Sequence, residues 1–301
     1  MKRNRHLLAI ALGICGIGLF NSAGAQENLK YQTPPKEILD LANVNYAPSV
    51  QVDSKANYML LSYSNTFKTL SDLNQTELRL GGLRINPVTN IASSFTYFNN
   101  LKLRKVRGGE ERQIEGLPKN PLIAHLSWSP DETKIAFTNT GEKGVELWVV
   151  DVVTAQAKKL RTDDLNANLG MPFLWLQDSE TLLVRVLPKN RPALLNASKD
   201  LPTGPITSNS GGSVSQNRTF PDLLKNQNDE ANFTTIASSE LIKVTVKGKA
   251  TPFKAVDLYS SQSLSPDGKY LLLTTIQKPF SYIVPYFRFP SKSVVVDLSG
   301  K

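Results

Sequence analysis

The chain has 301 residues, of which 40% are hydrophobic and 20% are charged, with 35 Lys and Arg against 26 Asp and Glu. This length and apolar content allow one large domain or two ordinary ones, and they exclude global disorder. The 18 Gly, 18 Pro and 1 Cys exclude a collagen-like chain, a disulfide scaffold and a metal site built from cysteines.

Residues 1–25 have the pattern of a secretory signal peptide. Three basic residues near the start precede an uncharged apolar stretch, residues 7–20, which is short for a transmembrane helix. The small residues at positions 23–25 predict cleavage between Ala25 and Gln26. The alternative is an uncleaved membrane anchor.

Cleavage at this position also removes Cys15 and leaves an exported chain without cysteine. Such a chain suits the periplasm or the exterior of a bacterium, because it needs no oxidative folding. No second apolar stretch of membrane length follows, so we expect no membrane contact after cleavage. The densest basic run, Lys102–Arg107, alternates charged and apolar residues. It is interpreted as the charged face of a strand, and no nucleic-acid partner is predicted.

Short strand patterns follow along residues 26–301. Each is rich in β-branched, aromatic or aliphatic residues and is bounded by Pro, Gly, Asp or Asn. The best helix candidate, Phe220–Phe233, is short and expected to face solvent. The sequence therefore predicts an all-β protein. The clearest strands are Tyr58–Tyr63, Lys134–Thr138, Leu147–Val153, Thr181–Leu187 and Tyr270–Thr275.

A unit of strand, tight turn and returning strand recurs along the chain. Ser-Pro-Asp turns at 129–131 and 265–267 have looser copies at residues 50–54 and 174–179. Pro presets the turn backbone and Asp accepts hydrogen bonds within it. A second strand and hairpin turn follow each copy, so each unit contains about four antiparallel strands. This repeat favours a β-propeller over the alternative, a β-sandwich with fortuitous turns.

The turn residues that mark the units are unevenly spaced, and only the middle interval fits a blade of ~40–45 residues. The first interval contains further strand patterns at 95–107 and 112–117, which could complete an additional sheet. The last interval contains a loop and short-helix insertion at about 188–233. About four to five blades are therefore expected. The marker residues are Asp53, Asp131, Asp178 and Asp267.

The final unit stops at its turn, Gly300-Lys301, without the returning strand of the earlier copies. An open propeller leaves a strand edge bare. We therefore interpret residues 26–301 as an incomplete β-propeller and as the N-terminal piece of a longer protein. Its expected partner is a missing domain or another chain at the open edge.

No catalytic arrangement is visible in the residues. His125, the only histidine after residue 25, is interpreted as structural rather than as a general base. Residues 211–215 fail the Gly-x-Ser-x-Gly pattern at its last position. No metal or cofactor site is predicted, because ligand clusters and phosphate-binding loops are lacking. Three tryptophans on predicted strands are expected to pack in the core rather than to stack on a ligand. They are Trp128, Trp148 and Trp175.

Several longer segments carry a family resemblance. The most specific are Arg218–Phe233, which contains Asp-Leu-Leu-Lys-Asn, and Pro279–Pro290, which contains Pro-Phe-Ser-Tyr-Ile-Val-Pro. With Leu126–Leu160, Leu165–Pro188 and Pro202–Pro205, they make the chain similar to the N-terminal β-propeller of exported serine peptidases. The family is that of prolyl oligopeptidase, and the branch is the glutamyl endopeptidase-like one.

This resemblance implies a propeller that caps an α/β-hydrolase domain holding a Ser-Asp-His triad. That domain is absent from this sequence, so no triad residue can be assigned and the chain is predicted to be inactive alone. The branch is similar to enzymes that prefer an acidic side chain before the cleaved bond, which implies a cation facing the peptide substrate. Arg288 is the candidate, between aromatic and Pro neighbours. The alternative is an exposed arginine on a blade connection.

Three functions remain open at this stage. The first is a non-catalytic propeller portion that gates the substrate of a full-length peptidase. The second is a β-propeller that works alone as a periplasmic protein-interaction module. The third is the product of a decayed, truncated gene.

Overall fold

The computed structural model describes residues 32–42, 44, 46–196 and 220–301. The predicted signal peptide and its cleavage site lie outside these residues, as do residues 197–219 of the predicted insertion. None of the helices in the described ranges is long and apolar enough to cross a membrane. The chain divides into two compact units, Met1–Val44 and Asn45–Lys301. In the first unit, helix α1 (Lys36–Ala42) buries none of its residues.

The second unit consists mainly of antiparallel strands. Its elements in chain order are β1 (Ser49–Val52), β2 (Tyr58–Tyr63), α2 (Leu70–Leu73), β3 (Leu78–Leu80), β4 (Leu83–Asn86), β5 (Ile91–Ala92), β6 (Asn100–Lys105), β7 (Arg112–Gln113), β8 (Ile123–Trp128), β9 (Lys134–Thr140), β10 (Val145–Asp151), β11 (Gln156–Leu165), β12 (Phe173–Trp175), β13 (Thr181–Val186), α3 (Gln227–Ala237), β14 (Ser239–Thr245), β15 (Ala250–Asp257), β16 (Tyr259–Leu264), β17 (Tyr270–Ile276), a 3-10 helix (Tyr286–Arg288) and β18 (Ser291–Asp297).

Strand order confirms the predicted β-propeller. Blade 1 has the order β1-β2-β6-β7, and blade 2 has the order β8-β9-β10-β11. Blade 3 runs β12-β13-β14-β15, and blade 4 has three strands, β16-β17-β18. The ladders of blades 2 and 3 meet in a single residue pair, Leu165 with Val186, so that the two blades form one eight-stranded sheet.

The strand patterns at 95–107 and 112–117 do not complete an additional sheet. They form β6 and β7, the third and fourth strands of blade 1, because the chain makes an excursion of residues 64–99 before it returns to that blade. The excursion itself contains the small separate sheet β3-β4-β5. The count within the described residues is therefore four blades.

Apolar side chains fill the spaces between neighbouring blades. Leu60 and Leu103 of blade 1 pack with Phe137 and Trp148 of blade 2, and similar clusters join blade 2 to blade 3 and blade 3 to blade 4. Both faces of an inner blade are covered, which is why β9 and β10 read as nearly continuous apolar runs in the sequence. The tryptophans pack in the core as predicted: Trp148 and Trp175 are buried and Trp128 is half-buried.

The recurring Ser-Pro-Asp turns have a second role that the sequence did not indicate. Inside each turn the Asp accepts a hydrogen bond from the Ser two residues before it, at 2.6 Å for both Asp131 and Asp267. Successive turns also bind each other, which fixes the angle between blades at this end. The contacts are Ser54 N to Glu132 Oε1 at 2.6 Å, Asp131 N to Ser179 Oγ at 3.0 Å, and Lys134 Nζ to Glu180 Oε1 at 2.8 Å.

The helix predicted at Phe220–Phe233 is displaced and is not solvent-facing. Helix α3 begins after Asn226, whose side chain accepts from the backbone N–H of Asp229 and so caps the helix. The preceding Asp222 has φ of 60°, which a helix cannot contain. Phe233 and Ile236 are fully buried, so the helix packs in a hydrophobic core with Phe280 and Phe289.

Candidate functional site at the loop end of the blades

The strands of each blade alternate in direction, so the connections from second to third strand all leave from the same end. We call this the loop end, and its described part consists of residues 64–99, 141–144, 187–196, 220–238 and 277–290. Blade 2 contributes only a tight hairpin there. The other three blades contribute long excursions, and these contain the two segments that were most specific for the family resemblance.

The excursions of blades 1 and 4 are in direct contact. The turn between β3 and β4 holds Gly81 and Gly82, both with positive φ. The carbonyl oxygen of Gly81 accepts the backbone N–H of Tyr286 at 2.8 Å. A Cβ atom on Gly82 would lie 2.5 Å from Cβ of Pro285. A side chain at this position would therefore separate the two excursions.

An aromatic cluster lies beneath this contact. Phe233 of α3 packs edge-on against Phe280 and Phe289, at centroid distances of 5.0 and 5.4 Å, while Phe280 and Phe289 stack on each other at 5.3 Å. Leu80 and Ile85 complete the same cluster from blade 1. Because blades 3 and 4 supply the rings and blade 1 supplies the aliphatic side chains, the cluster joins the three excursions into one packed layer.

Amide side chains continue the layer on its polar side. Asn166 donates from Nδ2 to the carbonyl oxygens of Ile236 and Ser238 at 3.0 and 2.9 Å. Arg191 donates from Nη1 to Oδ1 of Asn90 at 2.6 Å, and from Nε to the carbonyl oxygen of Thr235. These bonds satisfy backbone groups that the irregular excursions leave without ladder partners.

Arg185, on β13, is the most unusual charged residue of the site. It is 3% exposed and donates to the carbonyl oxygens of Tyr259 (3.0 Å), Leu169 and Met171. Within the described residues it has no carboxylate partner. Burial lowers the pKa of Arg185 to about 10, so it stays charged at neutral pH. Burial also raises the pKa of Tyr286, an effect that the Arg185 charge opposes.

His125 lies inside β8 rather than at its end. Its φ of 51° coincides with a β-bulge between Ala124 and Ser127. Nδ1 lies 3.0 Å from Oγ1 of Thr138, and the ring packs at 5.1 Å on Phe95. Burial lowers the pKa of His125 to about 4, with a further contribution from the Arg185 charge. The Thr138 side chain is fully buried and His125 is half-buried, which fits the structural role predicted for this histidine.

Arg288 is exposed at the end of the 3-10 helix. Its Cζ atom lies 5.2 Å from the ring centroid of Phe220, which is a cation–π distance. The structure thus places it at the loop end, beside the exposed Phe287. It is not brought together with His125 by any contact in the described part of the chain. Its predicted role in binding an acidic side chain stays a prediction.

The described part of the site offers packing and hydrogen bonding rather than a reactive group. Across residues 46–196 and 220–301, no three His, Cys, Asp or Glu side chains cluster as a metal site requires. Arg185 and the layer formed by the excursions were missed at the level of sequence. The available signal was a lone Arg in the middle of the apolar strand Leu182–Leu187.

Sequence comparison confirms the predicted resemblance. The chain is 32% identical over 285 residues to "Probable glutamyl endopeptidase, chloroplastic" of Oryza sativa subsp. japonica, and this match covers 90% of this chain and 30% of that protein. The protein of the same name in Arabidopsis thaliana is 32% identical over 284 residues, with 90% and 29% covered. The chain thus spans about 30% of the length of these relatives. No family model matches the chain.

Solved structures with a similar fold have lower sequence identity to this chain than these relatives have. An acylaminoacyl peptidase of Pyrococcus horikoshii has a TM-score of 0.44 and 15% identity, covering 86% of this chain and 33% of that one. A prolyl endopeptidase has a TM-score of 0.42 and 15% identity, covering 81% and 29%. A putative TolB of Agrobacterium tumefaciens has a TM-score of 0.37 and 9% identity, covering 85% and 78%.

Proposed function

We propose that this chain is the non-catalytic propeller portion of an exported serine peptidase related to the glutamyl endopeptidases. The observation that carries the proposal is the sequence match, which covers 90% of this chain but 30% of the named relative. In the complete protein, the propeller would cap an α/β-hydrolase domain and limit which peptides reach its catalytic serine. The chain itself would contribute binding and exclusion, and the missing domain would contribute the acyl-transfer chemistry.

The loop end is the surface we assign to this contact. Ile283 is 79% exposed and Phe287 is 66% exposed, although both belong to a segment that is anchored by buried Phe280 and Phe289. Neighbouring exposed apolar side chains on a rigid support favour a protein partner. The opposite end, which we call the turn end, holds the connections from first to second and from third to fourth strand, and it is occupied by contacts among the turns at Asp53, Asp131 and Asp178.

The proposal includes export from a bacterial cell. It rests on the sequence of residues 1–25, which combines a basic start, an apolar stretch and small residues before Gln26. The mature chain would work in the periplasm or outside the cell, where the absence of cysteine after cleavage is no disadvantage.

Reading the DNA downstream of the Lys301 codon tests the proposal directly. An in-frame or adjacent α/β-hydrolase domain with Gly-x-Ser-x-Gly is the expected result. A frameshifted remnant of that domain would favour a decayed gene, and an unrelated neighbour would favour a propeller that acts alone as an interaction module. Either of these two results would contradict the proposal.

A reconstitution experiment tests the assigned surface. The hydrolase domain expected downstream of Lys301 is produced as a separate protein. It should bind the purified chain, and it should cleave a fluorogenic peptide only when the chain is present. Phe287→Asp should weaken this binding about tenfold or more, since it puts a charge where the partner domain would bury an apolar side chain. Val153→Asp is the matched control, because Val153 is 65% exposed but lies at the turn end. Equal effects of both variants would argue against the loop end.

Arg288 provides a test of substrate preference in the reconstituted enzyme. A planar guanidinium can hold a carboxylate through two parallel hydrogen bonds. Arg288→Ala should therefore lower kcat/KM for peptides with an acidic residue before the cut by ~10–100-fold. Peptides with a neutral residue there should be little affected. An equal loss for both kinds of peptide would exclude this role.

A further inference from the structure

A groove opens at the loop end between the excursion of blade 1 and the link from blade 1 to blade 2. It has a volume of about 590 Å³, within the usual range of ligand sites. Its walls come from residues 65–68, 72, 75, 93, 95–97, 99 and 120–122. The tight hairpin of blade 2, residues 141–144, leaves this side of the loop end uncovered by a long excursion. Neither the family resemblance nor Arg288 assigns anything to the groove.

Aromatic rings with fixed positions form one wall. Phe95 packs against Tyr97 at 5.4 Å and against the half-buried ring of His125 at 5.1 Å. Phe95 and Tyr97 are half-buried, so each ring is held by its neighbours and still has surface that lines the groove. Rings that are already held in place lose little conformational entropy when a ligand binds.

Amide side chains form the polar part of the groove. Asn99 donates from Nδ2 to Oδ1 of Asn65 at 2.6 Å. This bond leaves the Nδ2 group of Asn65 and the Oδ1 atom of Asn99 without another hydrogen bond in the described part of the chain. Gln75 and Asn120 also line the groove. A set of amides offers both donors and acceptors, which is the pattern that a peptide backbone requires.

The two charged residues of the groove are occupied locally. Nζ of Lys68 donates to the carbonyl oxygen of Ser94 at 2.9 Å. Asp72 accepts from the backbone N–H and the hydroxyl of Thr69 at 2.8 and 2.7 Å. The Thr69 hydrogen bonds hold the pKa of Asp72 below its usual value, and the Lys68 charge adds to this effect. A neutral ligand suits this groove better than an anion or a cation.

The rim distinguishes between two kinds of neutral ligand. Phe67, Leu70 and Leu73 are 60%, 63% and 68% exposed, and Phe67 lines the groove itself. Aliphatic side chains add nothing to the recognition of a hydroxyl-rich carbohydrate, but they can pack on the apolar side chains of a polypeptide. We propose that this groove binds an extended, uncharged polypeptide segment, whose backbone pairs with the amides while apolar side chains pack on the rim.

Binding can be measured on this chain alone, without any catalytic domain. The probe is a pool of fluorescein-labelled dodecapeptides with capped ends, composed of Gly, Ser, Asn, Thr, Leu and Phe. Fluorescence anisotropy should show saturable binding with a Kd of about 100 µM or tighter. Pools enriched in Glu or in Lys should bind about tenfold more weakly, because the groove holds one cationic and one anionic side chain and so has no net charge to attract either pool.

Variants locate the binding site. Asn99→Ala and Phe67→Ala should each weaken binding by about tenfold, and Asn65→Trp, which fills the groove, should abolish it. Val153→Ala is the matched control, because Val153 is 65% exposed but lies outside the groove and outside the loop end. Equal melting temperatures of all variants show that the fold is retained.

Three results would overturn the proposal. One is the absence of peptide binding at millimolar concentration. The second is peptide binding that the groove variants leave unchanged. The third is displacement of the label by maltoheptaose or chitohexaose as effectively as by unlabelled peptide, which would indicate a carbohydrate site. Since the assay needs no peptidase, these outcomes are independent of whether the catalytic-domain contact exists.

Discussion

Nη1 of Arg185, on the second strand of blade 3, donates to the carbonyl oxygen of Tyr259, the first residue of β16 in blade 4, at 3.0 Å. The same guanidinium also binds the carbonyl oxygens of Leu169 and Met171, in the link between blades 2 and 3. One side chain thus binds backbone acceptors in the link between blades 2 and 3 and at the start of the first strand of blade 4. The positive charge is balanced by carbonyl dipoles and not by a carboxylate in the described residues.

The first prediction concerns this residue. Arg185→Met retains most of the volume but removes the guanidinium donor from three carbonyl oxygens, two of them in buried hydrogen bonds, so the free energy of unfolding should fall by about 3 kcal/mol. Urea denaturation measures this loss. Arg161→Met is the control, because Arg161 forms a partly exposed ion pair with Asp164 and should cost less than about 1 kcal/mol. Similar losses in both variants would contradict the assigned role of Arg185.

The second prediction concerns the stability of the chain against pH. The pKa of His125 falls to about 4 in the folded chain, because burial disfavours the charged ring, whereas the unfolded value is 6.5. The unfolded chain therefore takes up a proton first as the pH falls from about 6.5 to about 4. Stability should decrease across this window by up to about 3 kcal/mol and be insensitive to His125 above it.

The His125→Asn variant separates this effect from that of the carboxylates. Asn tolerates the positive φ of this position and does not titrate. Burial tends to raise the pKa of Asp131, but hydrogen bonds from Ser129 and Thr133 outweigh it and hold the pKa at about 2, so this carboxylate acts at lower pH. Urea midpoints measured between pH 7 and 4 should lose most of their slope in the variant. An unchanged slope would assign the effect to other groups.

The third prediction concerns the contact between the excursions of blades 1 and 4. Gly82→Ala places a Cβ atom 2.5 Å from Cβ of Pro285 at a φ of 83°, and it should cost about 3 kcal/mol of unfolding free energy. Gly108→Ala shares the positive φ but meets nothing within 4 Å, so it should cost only about 1 kcal/mol. Thermal melts of the two variants provide the comparison. Equal costs would mean that the contact contributes little.

The fourth prediction concerns export. The mature protein should begin at Gln26, because the small residues at 23–25 suit signal peptidase. Edman sequencing of protein recovered from the periplasm checks this. Gly24 lies between the two positions that the peptidase reads, so Gly24→Leu should have little effect, whereas Ala25→Leu should block processing. A mature protein that retains Met1 would support the uncleaved anchor instead.

Blade architecture could be predicted from sequence because it depends on local patterns. The strand Tyr58–Tyr63 was predicted with the bounds that the structure has. The Ser-Pro-Asp turns were recognisable because Pro, Ser and Asp set the turn backbone within five residues. Such features repeat with each blade, and repetition makes them visible even where a single copy is ambiguous.

The loop end could not be predicted because its contacts join residues that are far apart in the chain. Gly82 in the excursion of blade 1 contacts Pro285 in the excursion of blade 4, and no local sequence pattern indicates this contact. Helix α3 was placed too early because Asp222 and Asn226 determine where it begins, through a left-handed backbone and a cap. Its burial depends on Phe280 and Phe289, which come from another blade.

The pair of Leu165 and Val186 marks a weak boundary in the backbone hydrogen bonding between blades 2 and 3. The described residues of these ladders meet in this one pair, flanked by hydrogen bonds from Asn166 N to Arg185 O at 3.0 Å and from Leu187 N to Asp164 O at 2.8 Å. Amide protons inside a blade therefore exchange with solvent only when that blade opens, while those at this boundary exchange through smaller fluctuations. A lineage could accordingly gain or lose whole blades by recombination at such boundaries, since hardly any ladder would be cut.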